Sequence, residues 1–248
     1  MQKFFSLCWF HLRLFAKNGY FFGSMFCNTL SIFLLQYISG YASGNLADPN
    51  IWLRAGIFGM WTCATTAAGS IGFQRFQGTL PYLLNNATSD FTSLSALIVP
   101  SASFGLLSFP ISWFVAIILG LNTQFTSLEV LTSIVLLWIG AVILDFGIAA
   151  FFVLTPNALV YEELILIPLM LLSGLFPLPD AFQCVVQWFT WLLPISAPIQ
   201  LLLEPDAPRL LLYSQFVVSV ILCFLAAYLI TRKLLRLARE TGKMGVIS

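Results

Sequence analysis

Runs of roughly twenty apolar residues recur along this chain, and nothing else in it narrows the fold so far. Wound as an α-helix at about 1.5 Å per residue, each run crosses about 30 Å of hydrocarbon. The strands of a membrane barrel would instead alternate apolar and polar side chains, and no such alternation appears. The 248 residues are 59% hydrophobic and only 8% charged, where a soluble domain carries about 25% charged residues. Mean hydropathy is +0.93. A surface so poor in charge stays dispersed only in lipid, so the expectation is an all-α integral membrane protein, one transmembrane domain over 1–248. Membrane lipid is then its first partner. The net charge of +1 points to no nucleic-acid or acidic partner.

Six spans are predicted, at 19–40, 51–72, 93–120, 129–153, 158–177 and 209–231. Pro100 and Pro110 fall inside the third and predict a kink or broken turn there. Ahead of the spans, residues 2–18 place Phe4, Phe5, Cys8, Trp9, Leu12 and Phe15 on one helical face. Lys3, Ser6, Arg13 and Lys17 lie opposite, the pattern of an amphipathic helix in the headgroup region. No small-residue cleavage site follows MQKFF, so no signal peptide is expected.

Lysine and arginine set the orientation. With both termini in the cytoplasm, the inner segments hold Lys3, Arg13, Lys17, Arg75, Arg232, Lys233, Arg236, Arg239 and Lys243, and the outer ones only Arg54 and Arg209. The chain then ends in a basic cytoplasmic tail, 232–248. Between the last two spans, 179–203 is too apolar for a solvated loop, yet Pro177, Pro179, Pro194 and Pro198 break it into pieces too short to span. Short outer helices that dip into the membrane and return fit it, with Trp188 and Trp191 at headgroup depth.

Catalytic chemistry is hard to find. There is no GxxxxGK[ST] loop and no GxSxG, and His11 is the single histidine. That leaves no metal set and no serine–histidine pair, and no catalytic residue is assigned. His11 itself reads as an interfacial residue. Five scattered cysteines, Cys8, Cys27, Cys63, Cys184 and Cys223, read as small packing residues. Asp145 lies within the fourth span, and Glu162 and Glu163 open the fifth. Asp145 either lines a path or bonds a neighbouring span. Glu162 and Glu163 suit the first turns of a helix, where the macrodipole favours negative charge.

The loop "RFQGTLPYLLNNATS", after the second span, is predicted to hold a short cytoplasmic helix at about 79–87. Thr79 would be its N-cap, Pro81 would sit in its first turn, and Leu80, Leu83 and Leu84 would form an apolar face. This stretch resembles the arginine–x–x–GTL–x–x–LL signature of type 2 ABC (ATP-binding cassette) exporter permeases. "LSGLFPLPDAFQCVVQWFTWLLPISAPIQLLL" resembles the same family's second signature, at the end of the fifth span. The resemblance follows the whole chain in order. It implies that the loop helix is a coupling helix, seated in a cleft of a separate ATPase through Arg75, Gly78, Thr79, Leu80, Leu83 and Leu84. Pro81 replaces the family's usual glutamate, and Gln74 and Gln77 stand where acidic residues are common, so the cleft would differ in charge.

The resemblance further implies a permease subunit in the cell membrane, paired with a second identical or similar permease chain and two ATPase subunits. No cofactor is expected on this chain, ATP and magnesium being held by the ATPase. The pathway would follow the seam between permeases, with Asn28, Thr29, Ser31 and Gln36 of the first span, Asp145 and Glu162 as candidate contacts. An apolar, aromatic path and almost no soluble loop favour a hydrophobic or amphipathic cargo, such as a peptide or bacteriocin, a drug or a lipid. A polysaccharide or teichoic-acid exporter of the same family is the alternative. An ion-coupled carrier or channel without an ATPase is the alternative from another class.

Overall fold

A computed structural model describes residues 2–44, 48–79, 82, 90–121, 123, 128–155, 158–176 and 179–240. These residues form α-helices, one 3₁₀ turn and their connections, with no strand among them. We number the helices α1 (Gln2–Lys17), α2 (Gly19–Ala42), α3 (Ile51–Phe76), α4 (Asp90–Phe104) and α5 (Ser108–Ile118). Then follow α6 (Leu128–Leu154), α7 (Ala158–Leu172), α8 (Asp180–Leu192), α9 (Ser196–Leu203) and α10 (Arg209–Glu240).

Three segments are long and apolar enough to cross a membrane: Phe91–Ile118, Leu128–Val153 and Arg209–Leu234. Two bent pairs raise the number to five if each is one span, α1 with α2 at 66° and the end of α8 with α9 at 110°. The chain is therefore consistent with a multi-pass membrane protein. Of the predicted spans, α3 falls outside this set because threonine, serine and glycine dilute it, and α7 because only fifteen residues are helical. The expected fifth span, 158–177, thus needs correction at its end: Ser173 and Gly174 turn the chain, with Gly174 at φ 83°. That left-handed conformation suits glycine and stops a helix.

Of the two prolines expected to kink or break the third segment, Pro100 lies inside α4 and the break comes at Pro110. Pro110 has no N–H for the carbonyl of Leu106, and its ring crowds that carbonyl. The chain answers with the 3₁₀ turn Gly105–Leu107 between α4 and α5. Gly105 there lies so close to α3 that a Cβ would sit 2.8 Å from the Met60 carbonyl oxygen.

The core is built around α3, which touches α2, α4, α5, α6, α7 and α9. Nearly every side chain from Ile51 to Ile71 is buried. A helix that is covered on all sides needs small residues where neighbours cross. Gly56 meets the Phe109 ring, Gly59 meets Thr29 and Ser108, and Gly69 meets the carboxylate of Glu162. Its hydroxyls stay within the helix: Thr62 donates to Gly59 O, Thr66 to Thr62 O and Ser70 to Ala67 O.

Connections predicted on one side of the membrane do gather at one end of the bundle. Asn50 Nδ2 donates to Leu203 O at 3.1 Å, Arg54 pairs with Asp48 at 2.6 Å, and Arg209 pairs with Glu129. At the other end Phe91 stacks on Phe146 at 5.0 Å and meets Phe224 and Tyr228 edge-on, tying α4, α6 and α10. Arg232, Lys233 and Arg236 lie beyond that aromatic knot, on a helix that runs on to Glu240. The expected tail is helical that far because its leucine, lysine, arginine and alanine are all good helix formers. Residues 241–248 lie outside the described set.

The N-terminal helix packs one edge against the bundle. Its buried residues are His11 and Phe15, packed against α4, while Phe5, Trp9 and Phe10 are exposed. His11 is therefore buried within the chain.

Candidate functional site

Two places carry the predicted site residues, the end of α3 and the junction of α3, α6 and α7. At the first, Arg75 lies in the last turn of α3 and Gly78 adopts φ 70°. Thr79 N–H donates to Gln74 O at 2.9 Å, a six-residue closure that, with the left-handed glycine, forms a Schellman-type cap. The Thr79 hydroxyl reaches back as well, 3.0 Å from Gln74 O and 2.5 Å from Gln74 Oε1. Thr79 thus closes the helix before it; the helix it is expected to cap falls outside the described residues. Leu80, Leu83 and Leu84, and nearly all of the predicted coupling helix at 79–87, lie outside the described residues. Tyr82 is described and is 79% exposed.

At the second place the structure brings together residues that are far apart in sequence. Asp145, on α6, is 0% exposed, and neither Oδ1 nor Oδ2 has a hydrogen-bond partner. Glu162, on α7, lies within electrostatic reach of it, and its carboxylate fills the space left by Gly69 of α3. Cys63 of α3 is also within reach of Asp145. Its thiol points to Ser101 O at 3.7 Å, and the Ser101 hydroxyl is itself buried without a partner. The hydroxyls of Thr66 and Ser70 each have one proton and donate it to their own helix.

The remaining candidates sit apart from this junction. Thr29 is buried and donates to Met25 O at 2.7 Å, in the contact where α2 crosses Gly59. Asn28 and Gln36 are half-buried on α2, and the amide of Gln36 has no partner. Ser31 is exposed. Among the described residues no group of three or more histidine, cysteine, aspartate or glutamate side chains could hold a metal ion.

Sequence reasoning missed Cys63 and Gly69 as neighbours of the carboxyl groups. Gly69 left one signal: glycine inside a helix costs about 1 kcal/mol relative to alanine, so it often marks a close approach. A cavity of about 340 Å³ at the opposite end was missed too, lined by Asn50, Trp52, Leu53, Glu129, Leu202 and Arg209 among others. On α1, burial lowers the His11 imidazole from its ordinary value of 6.5, and its Nδ1 has no hydrogen-bond partner.

No protein-family model, curated protein or solved structure matches this chain.

Proposed function

We propose that this chain is the transmembrane permease subunit of an ATP-driven exporter of the type 2 ABC class. The observation that carries the reading is mechanical. The helix at the centre of the bundle, α3, ends in a tight cap immediately before the segment that resembles a coupling helix. A push delivered just after Thr79 would pass into a helix that touches six others. A loosely ended helix would lose that force to local disorder.

In this reading α3 and α7 complete six spans with α2, α4–α5, α6 and α10, and α1 lies at the interface. The α8–α9 pair forms the outer, returning segment. Two such chains enclose a path in the cell membrane, with their termini in the cytoplasm beside two ATPase subunits that hold ATP and magnesium. The cargo is hydrophobic or amphipathic, in keeping with a chain that is 15% aromatic and 8% charged.

Leu83→Asp tests the reading directly. It places a charge on the apolar face proposed to meet the ATPase, and it should abolish ATPase association or stimulation by at least about tenfold, roughly 1.4 kcal/mol, with membrane insertion intact. Unchanged stimulation, or cargo transport by the chain alone in liposomes, contradicts it.

A further inference from the structure

The cavity of about 340 Å³ lies where four pieces of the chain meet: the start of α3, the start of α6, the end of α9 and the turn into α10. Ligand sites run from about 300 Å³ upward and are mostly apolar, with a few placed polar groups. This cavity has that make-up. Trp52, Leu53 and Leu202 are buried residues of its wall. Among the described lining residues the charged ones are Glu129 and Arg209, which form an ion pair with both side chains about half exposed. The same two residues give the depth of the cavity in a membrane. Arg209 opens the apolar segment Arg209–Leu234, and Glu129 is the second residue of Leu128–Val153. Their pair therefore marks the edge of the hydrocarbon, where lipid head groups lie.

We propose that this cavity binds a zwitterionic phospholipid, with the lipid phosphate on Arg209 and a primary ammonium on Glu129. An ion pair as exposed as this one is weakly held, so an entering ligand can part it. A head group of one sign would engage one member and leave the other without its partner. A head group carrying both signs gives each a new partner and leaves the net charge of the site unchanged. The guanidinium presents two parallel N–H donors to phosphate oxygens, and the ammonium donates to the carboxylate. The glycerol and the first methylenes lie against Trp52, Leu53 and Leu202, which takes apolar surface out of water. A soluble zwitterion shares the head chemistry but leaves that apolar wall uncovered. The proposal rests on the chain lying in a membrane, and neither on the exporter reading nor on the side this end faces.

The test is lipid retention by the full chain in mild detergent, read by native mass spectrometry. The chain is equilibrated with equal amounts of phosphatidylethanolamine and phosphatidylglycerol that carry the same acyl chains. The expected result is a preference for phosphatidylethanolamine of about tenfold, the worth of one hydrogen bond to a charged group. Glu129→Gln and Arg209→Gln each remove that preference. Val130→Trp, which fills the cavity from a half-buried wall position, lowers phosphatidylethanolamine retention with the charged pair intact. Glycerophosphoethanolamine, the same head without chains, does not displace the lipid at equal concentration. Equal retention of the two lipids by the wild type overturns the proposal. So does a preference kept in both glutamine variants, or retention unchanged in Val130→Trp. Displacement by the chainless head assigns the site to a soluble zwitterion and overturns it too. The wild-type comparison stands even where a variant fails to fold.

Discussion

Both α3 and α10 are long helices, yet they solve opposite problems. Along α10 the side chains of Leu210, Val217, Leu222, Leu225 and Leu229 are exposed, as lipid-facing residues are in a bundle taken without its membrane. Along α3 almost nothing is exposed, and the helix is rich in glycine, alanine and threonine. Hydropathy singles out α10 and passes over α3, because it measures contact with lipid. Centrality depends on how closely other helices approach, and small residues permit that. In this molecule a long helix that hydropathy passes over is the one that holds the others together.

The contrast can be broken by matched substitutions. Trp61→Ala in α3 removes one of the largest fully buried side chains and should cost about 3–5 kcal/mol. Leu222→Ala on the exposed side of α10 should stay within about 0.5 kcal/mol. Reversible unfolding in mixed detergent measures both, and equal costs would erase the distinction. A smaller effect sharpens it. Gly59→Val should cost about 1–3 kcal/mol by overpacking, since even a Cβ there meets Thr29 and Ser108. Ala226→Val, exposed on α10, should be near neutral by the same measurement.

The mildest case is α1, which has one edge buried and the other exposed. Its His11 imidazole is lowered by burial, so the docked state favours the neutral ring. The contribution is therefore present above the ordinary value of 6.5 and is lost as pH falls through the lowered one. Proteolysis or amide exchange of α1 should increase modestly as the medium is acidified, and His11→Phe should flatten that dependence. An unchanged pH response in His11→Phe would assign it to another group.

Much of the helix plan was legible because each apolar run ends at a marked place. Expected spans at 19–40 and 129–153 became α2 at 19–42 and α6 at 128–154, and the break near Pro110 was visible in the sequence. Where hydrophobicity and helicity part, the reading slipped. The end of α10 is polar but made of helix formers, and the end of the fifth predicted span is apolar but turned by Gly174. Asp145 and Glu162 could each be picked out as unusual in an apolar run. That they come within electrostatic reach of each other depends on how α6 and α7 each settle against α3, which periodicity along one helix does not encode. Thr79 illustrates a local version of the same limit. Its residue type suits either helix end, and its bonds to Gln74 tie it to the helix before it.

The most direct test of the account is the side of the membrane on which the segment after α3 emerges. Tyr82, 79% exposed, is the described residue within it. Tyr82→Cys, in a chain whose five native cysteines are replaced by serine, can be probed with a membrane-impermeant maleimide. Modification in inverted vesicles and protection in intact cells is the predicted result. Modification from the outer surface of intact cells would put the segment beyond the reach of any ATPase and contradict the account.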